Sequence, residues 1–205
     1  MTVERFARKF GLAAIGALAL MACAPSPALA QGDHDHMHGL TAPQPPLTPE
    51  QKKQQGALVE AVRRATARFQ NVENAKPDYA LVFGCVSGGD FGAMGMHFLN
   101  GSLLGDGDVN VNYPEILLYE PLPNGRLQLT GADYLVDAAE WDSNPKHSGP
   151  PELMGQLFHF FDAPNRFGLK PFYTLHVWAW KDNPNGTFTN WNPNVSCDAF
   201  NPQEQ

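Results

Sequence analysis

The sequence has little positive charge. It holds 14 Lys and Arg residues against 21 Asp and Glu residues, which gives a net charge of −7. Three of the cations, Arg5, Arg8 and Lys9, precede an apolar run near the N-terminus, so the rest of the chain is more acidic still. Proteins that grip phosphate backbones carry clusters of Lys and Arg along one surface. The composition therefore indicates that nucleic acid is not a partner.

Long apolar segments are scarce as well. The longest run, residues 11–22, is shorter than the roughly 20 residues that a membrane-spanning helix needs. It follows basic residues and precedes Ala28-Leu29-Ala30, a small-x-small pattern at which signal peptidases cleave. We therefore predict that residues 1–30 are a signal peptide and that the mature chain begins at Gln31. The expected protein is periplasmic or secreted, with no transmembrane segment.

An alternative cleavage site lies earlier in the same segment. The stretch at 20–23, Leu-Met-Ala-Cys, resembles the signal of bacterial lipoproteins, in which the cysteine becomes the new N-terminus. Cleavage before Cys23 would leave a lipid anchor that holds the protein at the cell envelope. Both readings make Cys23 part of the targeting segment.

Cysteine is rare, with three residues in the whole chain. Once Cys23 is assigned to targeting, only Cys85 and Cys197 are left to the folded part. Two cysteines in an exported chain favour a disulfide, because that compartment is oxidising. We predict that Cys85 and Cys197 are joined, and the alternative is a pair of buried free thiols.

Short motifs of well-known enzymes and ion sites are missing too. There is no glycine-rich phosphate loop, no Gly-x-Ser-x-Gly nucleophile turn and no HExxH zinc motif. Residues 106–112 alternate oxygen-bearing side chains as a calcium loop does, but Val111 and Leu117 stand where that loop needs Gly and Glu. A functional site must therefore be assembled from residues that lie far apart in the sequence.

Composition divides the remaining chain into two parts. Residues 31–47 are rich in His, Pro, Gly and Asp and hold little to bury, so we predict a disordered linker. Residues 48–205 are expected to form a single globular domain. Thr48 and Gln51 have the spacing of a capping box, which predicts an amphipathic helix from this point to about Asn74.

Short apolar runs separated by turn residues follow the helix and predict strands. The chain between 137 and 168 is rich in Pro, Asn, Asp and Gly, which indicates a long ordered loop. We therefore expect an α+β fold, in which the N-terminal amphipathic helix is followed by a twisted, mostly antiparallel sheet with long Pro/Asn/Gly-rich loops. The predicted strands are 79–86, 94–99, 115–120, 126–136 and 171–180.

The last predicted strand holds most of the candidate chemistry. Alternation along it places His176, Trp178 and Trp180 on one face. If the strands of His97 and Glu120 are its neighbours, two imidazoles and a carboxylate converge, and this set binds zinc, copper or iron. We expect His97, Glu120 and His176 to form a site for a divalent transition metal. The alternatives are a buried polar network that only fixes the core and a metal-free acid–base pair.

Four residues around this triad are candidates for ligand binding. Trp178 and Trp180 would line a pocket beside the imidazoles, because a buried indole needs a partner for its N–H group. Asn100 follows His97 closely in a predicted turn. Arg166 would either hold an anionic ligand or tie the long loop to the body of the domain.

Three further histidines stand in the linker. His34, His36 and His38 alternate with Asp33, Asp35 and Met37, an arrangement that chelates divalent copper, nickel or zinc without a fold. We treat them as a second metal-binding hypothesis. The alternative is a solvated leader with no metal-related role.

Three stretches are distinctive enough to suggest relatives. They read GAMGMHFLN at 92–100, PEILLYEP at 114–121 and NRFGLKPFYTLHVWAW at 165–180. Together they resemble a family of uncharacterised exported bacterial proteins, and the resemblance covers residues 79–197. It implies export and brings no activity or cofactor with it.

These observations favour an exported domain that binds a small ligand or a metal ion, with His97, Glu120 and His176 in its pocket. One alternative is a hydrolase or lyase that uses the same three residues. Another is a structural or interaction module of the cell envelope, which the Asn-Pro-rich tail after residue 182 favours.

Overall fold

The computed structural model describes residues 46–202. Its first element is a helix, α1, which spans Pro49–Thr66. The helix begins with a capping box, in which the Thr48 hydroxyl accepts a hydrogen bond from Gln51 N and the Gln51 side chain accepts one from Thr48 N. Two of the backbone N–H groups that a helix leaves unpaired at its start are satisfied in this way.

The α-helix ends earlier than the predicted limit near Asn74. The Thr66 hydroxyl donates back to Val62 O at 2.7 Å, a bond that tightens and bends the last turn of a helix. The chain then continues as two 3-10 turns, Ala67–Gln70 and Val72–Asn74. The predicted limit, Asn74, is therefore the last residue of the second 3-10 turn, and α1 itself ends at Thr66.

The rest of the domain is built on one antiparallel six-stranded sheet, which makes the class α+β as predicted. Two short helices and a two-stranded ribbon lie in its connections. None of the helices in the described range 46–202 is long and apolar enough to cross a membrane. The strands are β1 Ala80–Ser87, β2 Ala93–Leu99, β3 Ile116–Pro121, β4 Leu127–Asp137, β5 Glu152–Leu153, β6 Gln156–Leu157, β7 His159–Phe161 and β8 Phe172–Val177, and the helices are α2 Gly101–Leu104 and α3 Ala138–Ser143. The order in the large sheet is β1-β2-β3-β4-β8-β7.

One face of the sheet packs against α1 and the turns that follow it; we call it the helix face. Leu58 and Val62 of α1 belong to the same buried cluster as Tyr134 and Leu175. At the other end, Phe69 packs into a second cluster, and Tyr119 donates its hydroxyl to Phe69 O at 2.7 Å. The helix face is therefore an ordinary apolar core with its tyrosine hydroxyls satisfied.

The C-terminal segment returns to the sheet and is covalently fixed there. Cys85 on β1 and Cys197 form a disulfide, which confirms the predicted pairing. Asn192 exchanges backbone hydrogen bonds with Ala93 at 3.1 and 3.2 Å, so the segment pairs with the start of β2. Trp178 donates its indole N–H to Thr189 O at 2.6 Å.

An insertion in β1 interrupts the regular pairing of the first two strands. Val82 is paired with His97 and Cys85 with Met96, so Phe83 and the glycine after it stand outside the ladder. Both inserted residues are in the left-handed region, with φ of 60° at Phe83 and 63° at Gly84. A bulky residue seldom adopts this conformation, and such strain is found most often near functional sites.

Candidate metal centre

Three buried side chains meet on the face of the sheet that is opposite the helix face; we call it the site face. His97 on β2, Asp133 on β4 and His176 on β8 each offer one ligand atom, and these atoms lie within 4.8 Å of one another. Asp133 and His176 are directly paired across β4 and β8, while β3 lies between β4 and the strand of His97. The two imidazole rings meet edge to face with centroids 5.9 Å apart.

His176 is the least satisfied residue of the cluster. It is 3 % exposed, and within the described part of the chain neither of its ring nitrogens has a hydrogen-bond partner. Its Nδ1 lies 3.4 Å from Asp133 Oδ1, which is within ion-pair range but lacks hydrogen-bond geometry. Burial, with the nearby His159 as the second cause, lowers the pKa of His176 to about 3, so the ring is neutral at neutral pH.

His97 is also held neutral, but one of its nitrogens is engaged. Its Nδ1 lies 3.1 Å from Gly95 O, a contact that requires a proton on Nδ1. The Nε2 lone pair is then available, as in metal-binding histidines whose other nitrogen donates to a carbonyl. Burial, with His176 as the second cause, lowers the pKa of His97 to about 4.

Asp133 provides the negative charge of the cluster. Its Oδ1 accepts a hydrogen bond of 2.5 Å from the Thr174 hydroxyl, which orients the carboxylate. Burial raises the pKa of Asp133 to about 6, and the bond from Thr174 opposes that rise. The carboxylate is therefore ionised at neutral pH beside two neutral imidazoles, which is the protonation state that metal binding needs.

A small cavity of about 30 Å³ borders the cluster. Four of its lining residues are polar, namely the three members of the cluster and Thr174, and all the others are apolar. A site of this size holds only an ion and a very small ligand, since one water needs roughly 10 to 15 Å³. The apolar lining residues are Phe83, Met94, Ile116, Leu135, Phe161, Phe167, Leu169 and Phe172.

Glu120, the carboxylate expected from the sequence, does not join the cluster. It is buried on β3, but Oε2 receives the ammonium group of Lys181 and Oε1 accepts from Ser196 N at 3.0 Å. Through these two contacts, Glu120 joins the C-terminal segment to the sheet. Asp133 takes the place expected for Glu120, and a charged residue inside the apolar run 129–136 was the sequence signal that could have found it.

Trp178 lies on the same face of the sheet as His176, as predicted, whereas Trp180 does not. The Trp178 ring lies 6.0 Å from that of His176, and its indole N–H is engaged by Thr189 O. Trp180 instead packs against the clusters of the helix face and donates to Thr66 Oγ1 at 2.9 Å. The reason is that β8 ends at Val177, after which the chain turns and alternation no longer applies.

The other two predicted ligand-binding residues have structural partners. Asn100 is the N-cap of α2, where its side chain accepts from Ser102 N and Leu103 N. Arg166 donates to Ser87 O at 3.0 Å, which joins the long loop to the end of β1. Its guanidinium lies 5.2 Å from the centre of the Trp191 ring. Of the two roles foreseen for Arg166, the structure shows the second, in which it joins the long loop to the body of the domain.

The three linker histidines, His34, His36 and His38, lie outside the described residues. Their metal-binding hypothesis therefore stays a prediction from the sequence.

Comparison with known proteins does not extend this picture. No family model, no curated protein and no solved structure matches the chain. The chemistry of the site must therefore be argued from its own residues.

Two imidazoles and one carboxylate can hold a divalent transition metal and leave coordination positions open. The same ligand types bind zinc in catalytic sites and iron(II) in oxygenases. On a tetrahedral ion with bonds of about 2.1 Å, two ligand atoms stand roughly 3.4 Å apart. The separation of His176 Nδ1 from Asp133 Oδ1 is already 3.4 Å, so two of the three protein ligands have the required spacing.

Proposed function

We propose that this domain binds one divalent transition-metal ion through His97, Asp133 and His176 and keeps at least one coordination position open for a small ligand. Zinc, copper and iron all suit the ligand set. Three protein ligands are what catalytic metal sites commonly provide, whereas structural zinc sites are closed by four.

The observation that carries the proposal is the state of His176. A buried polar group without a partner costs about 1 to 3 kcal/mol, so native structures rarely contain one. A metal ion would give a ring nitrogen of His176 the partner it lacks. It would also sit against the Asp133 carboxylate, which forms no ion pair with a Lys or Arg of the described residues.

The protonation states support the same proposal. A metal competes with protons for its ligands, and a histidine with a pKa near 6.5 begins to be protonated just below neutral pH. The pKa values of about 4 for His97 and about 3 for His176 keep both rings neutral through the mildly acidic range. Asp133, with a pKa of about 6, limits binding on the acidic side.

The disulfide supports a location outside the cytoplasm. Disulfides persist in the periplasm and in secreted proteins, where the surroundings are oxidising. The Cys85–Cys197 bond fits such a compartment. We propose that the protein is released after cleavage before Gln31, with a lipid anchor at Cys23 as the alternative.

A metal-free hydrolase or lyase has less support. That alternative needs Glu120 as the acid or base, and Lys181 and Ser196 N hold both of its oxygens. An envelope module without a pocket does not account for the buried cluster of three titratable side chains.

Metal binding can be tested on the exported protein produced without a histidine tag. His34, His36 and His38 are replaced by Ala in the reference protein, so that only the folded domain is measured. After treatment with EDTA, titration with Zn²⁺ in a calorimeter should show one equivalent bound. Cobalt(II) should give a visible absorption spectrum, because its d–d bands report coordination by protein ligands.

Two variants and one control decide whether the proposed ligands are used. Asp133→Asn keeps the shape of the side chain, and His176→Ala removes a ring; each should weaken zinc binding by more than roughly 100-fold. His147→Ala removes a histidine that stacks on Trp141 and does not line the cavity, so it should leave binding unchanged. Full affinity in folded Asp133→Asn protein, or no bound metal in the reference protein, would refute the proposal.

A further inference from the structure

The space next to the proposed ion is closely confined and apolar. The cavity measures about 30 Å³, and its polar lining residues are the three proposed ligands and Thr174. Thr174 already donates its hydroxyl to Asp133. Among the described residues, no Lys or Arg lines the cavity, so only the ion itself would offset the cost of bringing a charged ligand between these apolar walls.

Two phenylalanine rings stand at the outer end of this space. Phe83 lines the cavity and is 49 % exposed, so its ring reaches from the cavity to solvent. Phe167 also lines the cavity, and the centroids of the two rings are 5.6 Å apart. A ligand that approaches the ion from this side must pass these rings.

The two rings are held in different ways. Phe167 sits in a braced loop: its N–H donates to Asn165 Oδ1 at 3.2 Å, and the neighbouring Arg166 is bonded to Ser87 O. Phe83 stands on the two-residue insertion of β1 with φ of 60°, a conformation that a bulky residue rarely adopts. Strain of this kind persists where function requires it, which singles out Phe83 as the residue that narrows the entrance.

We propose that the open coordination position takes an uncharged ligand of two non-hydrogen atoms, of the diatomic gas class, and that Phe83 sets this size limit. This inference rests on the proposed metal site. A volume of about 30 Å³ corresponds to roughly two or three water-sized positions, so one or two of them remain once the ion is bound. The apolar walls favour a ligand that loses little hydration on entry.

Nitric oxide and imidazole are suitable probes of this limit. Nitric oxide has two atoms and binds iron(II), whereas imidazole is a neutral five-membered ring that binds cobalt(II). Under anaerobic conditions, the iron(II) protein exposed to nitric oxide should give the spin-3/2 EPR signal of a ferrous nitrosyl. The cobalt(II) protein should keep its visible spectrum when imidazole is added.

Replacing Phe83 tests its role at the entrance. Phe83→Gly removes the ring and suits the left-handed backbone, so we expect the cobalt(II) spectrum to respond to imidazole with an apparent affinity raised by roughly tenfold or more. Phe83→Ala provides a second variant that keeps a side chain. Phe91→Ala is the matched control, because Phe91 is also exposed, at 44 %, and does not line the cavity.

The outcomes separate this inference from the proposed function. If neither iron(II) nor cobalt(II) binds at one equivalent, the metal site itself is refuted. If the metals bind but no nitrosyl signal forms, the ligand class is refuted while the metal site stands. An equal response to imidazole in the reference protein and in Phe83→Gly would show that Phe83 does not limit entry.

Discussion

Replacing Glu115 by Gln should make the protein more stable at pH 8 and leave its stability near pH 4 almost unchanged. Glu115 immediately precedes β3, is 2 % exposed, and accepts one hydrogen bond of 3.1 Å from Leu135 N. Burial raises the pKa of this carboxyl to about 8, and the negative charges of Asp133 and Asp106 add to the rise. Backbone N–H groups oppose the rise without cancelling it.

The direction of the effect follows from proton binding in the two states. Between pH 4.5 and pH 8 the folded protein holds a proton on Glu115 that the unfolded chain has released. Folding therefore takes up a proton, and the free energy of unfolding falls as the pH rises through this window. Gln carries no ionisable proton and can still accept the bond from Leu135 N, so the variant should lack this loss.

The size of the effect follows from the two pKa values. The difference between about 8 in the folded protein and 4.5 in the unfolded chain corresponds to about 5 kcal/mol, at about 1.4 kcal/mol for each pH unit. Relaxation of the site around the charged carboxylate reduces this limit. We expect Glu115→Gln to be more stable than the wild type by about 2 to 5 kcal/mol at pH 8.

Urea denaturation at pH 4.5, 6 and 8 measures the effect, with EDTA present to remove metal linkage. Wild type and variant share His97, His176 and Asp133, so the difference between their free energies of unfolding isolates Glu115. Glu152→Gln, at an exposed position in β5, serves as the control and should show no such trend. A difference for Glu115→Gln that is the same at all three pH values would refute the reasoning.

Three other substitutions have expected outcomes in the same assay. Replacing Cys85 and Cys197 by Ser should lower the free energy of unfolding by about 4 to 5 kcal/mol, because the disulfide spans 112 residues; an unchanged urea midpoint would contradict this. Gly131→Ala places a Cβ 2.2 Å from Val177 O and should cost more than about 2 kcal/mol, whereas equal stability would mean that β4 and β8 can separate. Gly56→Ala, where nothing lies within 4 Å on an exposed helix surface, should instead stabilise by about 0.5 to 1 kcal/mol, and a loss of stability would contradict the helix.

Local sequence rules account for most of the sheet. Apolar runs bounded by turn residues predicted five strands, and each has an observed counterpart, although the ends differ by a few residues. The Pro-Asn-Gly stretch at residues 123–125, a typical turn sequence, joins β3 and β4, and Gly125 has φ of 76°. These features depend on neighbours in sequence, so one chain is enough to predict them.

The order of the strands could not be predicted in the same way. β8 pairs with β4, which brings His176 beside Asp133, and a different neighbour would have placed another side chain there. Glu120 was the carboxylate that the sequence favoured, but Lys181 and the segment around Ser196 engage both of its oxygens through contacts that form only in the folded chain. The two histidines were therefore found from the sequence alone, whereas the choice of Asp133 over Glu120 depended on the order of the strands.

Trp180 illustrates a second limit of pattern analysis. Strict alternation predicted that it shares a face with His176, but Ala179 N donates to Val177 O at 2.8 Å, which turns the chain immediately after β8. No Gly or Pro marks this turn in residues 177–180. Long-range contacts decide it, since Trp180 gains a hydrogen bond to Thr66 and a place in the apolar clusters of the helix face.

The contrast between the two faces of the sheet bears on why the site exists. On the helix face, Tyr119 and Tyr134 both donate their buried hydroxyls to backbone carbonyls, as a polar network selected for stability would. On the site face, His97 has one such bond and His176 has none within the described chain. Leu or Phe would fill the volume of His176 without an unsatisfied polar atom, so packing alone does not explain an imidazole there. A violation of otherwise consistent design is expected where function requires it, and coordination of a metal ion is the role that would satisfy one ring nitrogen of each histidine.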